Sequence, residues 1–202
     1  MKLGEVKIEA LKLMFANGKE DITVSELADA ELGEKYGDYL INMPGAINRC
    51  FSILEEKRVL PSRLFVLGDG GRYNLSELIA DFFDVERIVY EGRRGYNVNC
   101  EYFREGDAVI IPDYRPDGEY RILYKPSIKR VTDITSNDAE LDIPERIACY
   151  IPYFIKSELF RVDEPDEAAE ARNFFEAALS EIFTAIENRQ TKSYSRYSFD
   201  EV

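Results

Sequence analysis

Histidine does not occur anywhere in the 202 residues. Its absence removes Ser-His-Asp and Cys-His arrangements, most zinc sites and the commonest general base near neutral pH. Cysteine is scarce. Cys50, Cys100 and Cys149 are odd in number, widely spaced and without a close pair to chelate a metal or seed a disulfide framework, so buried free thiols are expected. No stretch approaches the roughly 18 uninterrupted apolar residues of a membrane span, and Met1-Lys2-Leu3-Gly4-Glu5 is not followed by the apolar segment of a signal peptide; a protein made and kept in cytosol, with no membrane partner, is the expectation. Positive charge is also in deficit, with 26 Lys and Arg against 39 Asp and Glu and a net charge of -13. A surface that repels phosphate is a poor generic nucleic-acid binder, which argues against sequence-specific DNA recognition. Acidity suits two other roles: keeping a self-associating protein soluble, or lining a passage through which DNA slides without sticking.

A hydrophobic content of 45%, with 12% aromatic residues, is enough to bury a core for one domain, or one domain carrying a sizeable insertion. Between residues 4 and 17, Ile8, Leu11 and Phe15, with Ala10 and Met14 beside them, have helical spacing. Thr23-Val24-Ser25-Glu26 has the spacing of a capping box and predicts a short helix through Leu27 to Leu32. Gly33 and Gly37 predict a loop or broken helix, and Pro44 a first helical turn, with a helix running on to about Lys57 through Ile47, Cys50, Phe51 and Leu54.

From Pro61 the pattern becomes one of strands. Residues 64–67, 87–91, 96–103, 108–111 and 120–124 are short apolar or alternating runs, closed by Gly68-Asp69-Gly70-Gly71 and by a Pro116-Asp117-Gly118 turn in which glycine would take a positive φ. Residues 75–83 fit a helical turn or a further strand. Helical period returns at Ile147, Ile151, Phe154, Ile155 and Leu159, with Pro152 expected to kink but not break the helix. A last helix begins near Pro165, directs Ala168, Phe175, Ala178, Leu179, Ile182, Phe183 and Ile186 inward, and ends about Asn188. The expected fold is α+β: a helical bundle from residues 1–61 and 133–190, an inserted small antiparallel β-module at 62–132, and an extended tail at 191–202.

Few residues look chemical. Thirty-nine carboxylates give many chance pairs and none in a recognisable motif. Gly68-Asp69-Gly70-Gly71-Arg72 lacks the Gly-Lys-Ser/Thr ending of a phosphate loop and reads as a plain turn. Asp113, Asp117 and Glu119 miss the ligand spacing of an EF-hand and fit a solvated hairpin better. No catalytic, cofactor-binding or metal-binding residue is therefore assigned, and a non-enzymatic protein is expected. Arg87, Arg93 and Arg94 oppose an acidic run at Asp163, Glu164, Asp166 and Glu167; such patches either form an ordinary mixed surface or meet between neighbouring subunits and set their register. In the tail, Tyr194, Arg196, Tyr197 and Phe199 are spaced through hydroxyl residues. Solvated tails are poor in aromatics, so these four are candidate anchors that order on a partner.

Four segments carry a family resemblance. They are Ile143-Pro144-Glu145, the run from Tyr150-Ile151-Pro152-Tyr153-Phe154 to Leu159, Glu164-Pro165-Asp166 with Ala168 and Ala169, and Arg172-Asn173-Phe174-Phe175-Glu176-Ala177-Ala178-Leu179. Pro44-Gly45-Ala46-Ile47-Asn48-Arg49 adds weaker support. Together they resemble the tailed-bacteriophage head-to-tail connector proteins, also called adaptor or tail tubular A-like proteins. The resemblance implies a structural virion protein of the neck, made in host cytoplasm and assembled as a homo-oligomeric ring, commonly of twelve copies, beneath the portal protein. It implies a carboxy-terminal segment docked on the portal, a β-module facing a tail or nozzle protein, and DNA passing through without sequence recognition. Rival readings are another neck or tail protein, such as a head-completion or tail-terminator subunit, and a cytosolic acidic binding or inhibitor protein.

Overall fold

The computed structural model describes residues 1–15, 23–28, 30–92 and 97–194. It is a mixed α+β structure with two small antiparallel sheets. The chain divides into two compact units, one made of residues 1–59 and 129–202 and the other of residues 60–128.

The first unit is helical. Helix α1 (Leu3–Phe15) buries Leu3, Val6, Ile8, Ala10, Leu11 and Met14. Its first-turn N–H groups have no partner within the helix; Leu3 N–H donates to the Ala139 carbonyl (2.9 Å) and Gly4 N–H to that of Asn137 (2.8 Å). A side chain at position 4 would lie 2.7 Å from Val24 Cγ1 and 3.0 Å from the Asn137 oxygen, so glycine is what lets that segment approach. At the capping box, the Glu26 carboxylate accepts from both Thr23 N–H (2.6 Å) and Thr23 Oγ1 (2.8 Å). The turn that follows, Val24–Ala28, is a 3-10 helix.

Helix α2 (Ala30–Glu56) is continuous through Gly33, Gly37 and Pro44, where a break and a fresh start were expected. Tertiary contact overrides the weak local propensity. Buried Tyr36 and its neighbour Tyr39 both lie against Phe15, at ring-centroid distances of 4.8 and 4.9 Å, and Phe15 meets Phe160 at 5.6 Å. Further along, Met43, Ala46, Ile47, Cys50, Phe51 and Leu54 are buried.

The second unit begins with β1 (Arg63–Leu67), β2 (Arg72–Asn74), the single turn α3 (Leu75–Leu78) and β3 (Phe82–Glu91). It continues with β4 (Asn97–Asn99), β5 (Phe103–Glu105), β6 (Ala108–Ile110) and β7 (Glu119–Pro126). One sheet has the order β1-β7-β3-β4 and the other β2-β6-β5. The expected strand at 96–103 is two short strands in different sheets, β4 and β5. Period two sets the faces: Phe65 opposes Ile122 and Leu67 opposes Tyr120 on the core side, joined by Ile88, Val85 and Tyr124. The β5–β6 hairpin turns through two residues, and Gly106 supplies its positive φ of 60°. Gly118 serves differently from expectation. Its φ is not positive; a Cβ there would lie 2.4 Å from Tyr90 Cε2, so close packing demands the glycine.

Returning to the helical unit, α4 (Glu145–Ala148) and α5 (Ile151–Leu159) are separate helices, and Pro152 sits in the first turn of α5. The expected kink is thus a break, since proline fits a first turn where its missing N–H costs nothing. Helix α6 (Pro165–Tyr194) runs six residues past the expected stop, because no glycine or proline follows Pro165 to end it. Residues 191–194 are therefore helical, not extended. Of the cysteines, only Cys50 is buried; Cys100 is half-buried and Cys149 exposed at the end of α4.

Pro44 lies buried in the interior of α2, where it removes one backbone hydrogen bond. Pro44→Ala is expected to stabilise the protein by about 1–2 kcal/mol, read as a raised midpoint in urea unfolding followed by circular dichroism.

Candidate interaction surfaces

Asp163, Glu164, Asp166 and Glu167 come together where α5 hands over to α6, all exposed. Asp166 and Glu167 lie in the first turn of α6, where backbone N–H groups favour negative charge. Two of the four acids have side-chain partners among the described residues. Asp163 accepts from Tyr39 Oη (3.3 Å), and Glu167 pairs with Lys156 Nζ at 2.7 Å, which also donates to the Leu13 carbonyl. Arg87 lies in the β-rich unit on β3, half-buried and opposite Leu123. Arg93, Arg94, Arg196, Tyr197 and Phe199 fall outside the described residues, and Tyr194 is described only as the last helical residue of α6.

The structure adds surfaces that sequence reading missed. On the outer face of the four-stranded sheet, Leu64 (57% exposed) and Val66 (48%) stand on β1, with half-buried Leu123 and Val89 beside them. Arg121 lies on this face between Val66 and Val89 and bridges Glu91 and Glu119, each at 2.6 Å. The continuous apolar run of β1 hid the alternation that would have exposed this face from sequence alone.

Helix α6 carries a second surface. Ala168, Ala171, Phe175 and Leu179 are buried, but Ile182 and Ile186 are half-buried and Phe183 is exposed; the expected inward stripe stops at Leu179. Length explains this. α5 has 9 residues and α6 has 30, about 14 and 45 Å at 1.5 Å per residue, so α5 covers only the first part of its neighbour.

Within the helical unit, a pocket of about 410 Å³ is lined by Ser157, Glu158, Arg161, Pro165 and Arg172. Its central cation is already engaged: Arg172 reaches Glu176 at 2.7 Å and Glu158 at 3.6 Å, and lies 4.8 Å from the Phe154 ring. Burial pushes the nearby Cys50 thiol well above the ordinary range, keeping it protonated and unreactive.

The larger pocket, about 530 Å³, lies within the β-rich unit. Tyr90 and Tyr120 are among the residues that line it. Tyr90 and Tyr120 are 5.0 Å apart, and Tyr114 stacks on Tyr120 at 5.1 Å. Tyr90 Oη donates to Asp117 (2.8 Å), and Tyr120 Oη accepts the Arg115 N–H (2.7 Å), so both rings are fixed at their polar ends. Behind them, Tyr73 Oη donates to the carbonyls of Gly68 and Gly70. Among the described residues, no group of three or more Cys, Asp or Glu side chains could hold a metal ion. No described helix is long and apolar enough to cross a membrane.

No family model and no curated protein matches the chain.

Burial, followed by Tyr114, Tyr120 and Asp69, pushes the Tyr73 phenol up to about 12. The neutral phenol is thus favoured in the folded state; its stabilisation is complete below the ordinary tyrosine value near 10 and is lost as pH rises through about 12. Tyr73→Phe is expected to delete a late step from the alkaline ultraviolet titration and to cost about 1–2 kcal/mol at neutral pH.

Proposed function

We propose that this chain is a structural, non-enzymatic head-to-tail connector of a tailed bacteriophage. Its copies form a ring, of twelve in the family it resembles, beneath the portal protein. In this reading α1, α2, α5 and α6 act as a bundle, the segment from residue 191 docks on the portal, and the β-rich unit faces a tail or nozzle protein. Packaged DNA passes without sequence recognition, through a ring whose net negative charge keeps phosphate from sticking.

The observation that carries the proposal is the second half of α6. Its apolar stripe continues through Ile182, Phe183 and Ile186 past the point where α5 stops covering it. A helix face left apolar costs solubility unless another surface covers it. The exposed acidic cluster from Asp163 to Glu167 is a complementary partner for basic side chains such as Arg87 on a neighbouring copy.

Three measurements test this. In electron micrographs of purified particles, density for the chain should lie directly against the portal; density only at the far end of the tail would replace the connector reading with that of another tail protein. Phe183→Asp should leave the monomer's melting temperature unchanged and reduce ring formation at least about 10-fold. Deleting residues 191–202 should leave a folded monomer that no longer attaches to the portal. Unimpaired attachment would remove the docking role.

A further inference from the structure

Strand β1 forms one edge of the four-stranded sheet, and β7 is the strand it pairs with. We propose that this edge pairs with the same edge of a second copy of the chain, antiparallel and centred on Phe65, so that the two sheets become one across a two-fold axis. The pairing rests on the β-rich unit alone and not on the connector reading, which assigns assembly to α6 and the acidic cluster.

An edge strand satisfies only half of its backbone groups, because alternate residues turn their N–H and C=O away from the neighbour they pair with. Among the described residues, Leu64, Phe65, Val66 and Leu67 have no hydrogen bond to anything but β7. Natural edges are guarded by Lys or Pro, by an inward charge, by a bulge or by brevity. The opposite edge obeys this rule, for β4 has only three residues and carries Asn97 and Asn99. β1 does not. It pairs with β7 in unbroken register, the irregularities of the sheet falling on β3, and from Leu64 to Leu67 every side chain is apolar. Leu64 and Val66 are exposed on the outer face and Phe65 is half-buried on the other, so the open edge offers apolar surface on both of its sides.

The strand is complementary to itself, and this selects the occupant. Centred on Phe65, an antiparallel pair sets Leu64 opposite Val66 of the partner subunit on the outer face and Phe65 opposite Phe65 of the partner subunit on the inner one. Every opposed pair from 64 to 66 is then apolar, and such cross-strand pairs are the unit of sheet stabilisation. Charge fits this direction and not the other. Arg63 meets Asp81 yet keeps 40% of its side chain exposed. In antiparallel order it faces Leu67 of the partner subunit and lies toward the exposed Asp69 in the turn beyond, whereas parallel order sets Arg63 against Arg63, a like-charge pair that destabilises. The contact is closed, since each copy spends its own edge in making it. Roughly four to six backbone hydrogen bonds and one strip of side chains make a small interface, of the kind that associates reversibly.

The test is sedimentation velocity of the full-length protein between about 1 and 500 µM, joined to amide hydrogen exchange across β1 over the same range. A two-copy species with a dissociation constant of about 100 µM or tighter is expected, with exchange within β1 slowing as concentration rises. Val66→Lys sets a charge on the edge and should weaken pairing at least about 10-fold, and Leu64→Lys should do the same; both side chains are about half in water or more, so the melting temperature should not change. Phe183→Asp and removal of residues 191–202 should leave pairing intact. A monomer throughout the range, exchange within β1 indifferent to concentration, or lysine variants that pair as well as the parent would overturn the proposal. Loss of pairing on removal of residues 191–202 would make that segment the occupant of the edge, and loss in Phe183→Asp would place the contact on α6; either result overturns it too. Rings depend on Phe183 and the two-copy species on Leu64 and Val66, so a failure of one is distinguishable from a failure of the other.

Discussion

The helical unit depends on α5. In nine residues it sets Ile151, Phe154 and Ile155 into the interior, and it packs against α1, α2 and α6. Phe154 meets Phe175 of α6 with ring centroids 5.0 Å apart. Burying one such ring contributes roughly 1.5–3 kcal/mol, and several converge here. Polar contacts at the margin fix orientation more than they add stability: Glu158 is bracketed by Arg49 at 2.8 Å and Arg172 at 3.6 Å, which links α2, α5 and α6 through one carboxylate. α1 and α6 each reach α5 from opposite ends of the sequence, so the first and last parts of the chain cohere through this short element. The connection that follows the β-rich unit is held in turn by Asn48, whose amide donates to the Val131 carbonyl (2.7 Å) and accepts the Val131 N–H (2.9 Å).

Where periodicity and core burial agreed, the sequence was legible. The stripe of α1, the strand pattern that opens at β1, and the later part of α2 from Ile47 to Leu54 all rest on apolar residues spaced to match the faces they bury. What misled was punctuation. Gly33, Gly37 and Pro44 carry strong local signals, yet Phe15, Tyr36, Tyr39 and Phe160 hold α2 together across them from elements far away in sequence. Pro152 misled in the other direction: the apolar stripe spans the break between α4 and α5, and only the backbone shows that proline begins a new helix. The candidate surfaces were less legible still. That Ile182, Phe183 and Ile186 look like core is a true statement about their chemistry; what the sequence could not supply is the length of the neighbour. The pocket gave no signal at all, because its residues come from β3, β4 with the segment after it, the 111–117 loop and β7, and no spacing rule connects Tyr90 with Asp113 or Glu101.

Charge is distributed to a purpose within each unit. Glu55, nearly fully buried, is held by Arg130 Nη2 at 2.5 Å, and buried Lys125 donates to the Leu60 carbonyl and lies 3.7 Å from Glu86. Such buried ions are matched, as burial requires. Exposed carboxylates such as Glu164 and Asp166 stay at the surface, where water solvates them.

The β-rich unit leaves and rejoins the helical unit through strands that are direct neighbours, for Arg63 near the start of β1 lies opposite Tyr124 near the end of β7. The two ends of the insert are therefore side by side, like the mouth of a loop drawn closed by its own sheet. A domain joined in this manner is exchangeable: the helical unit need bridge only a narrow gap to dispense with it. Evolution can then refit the β-rich unit without disturbing the framework that holds the rest.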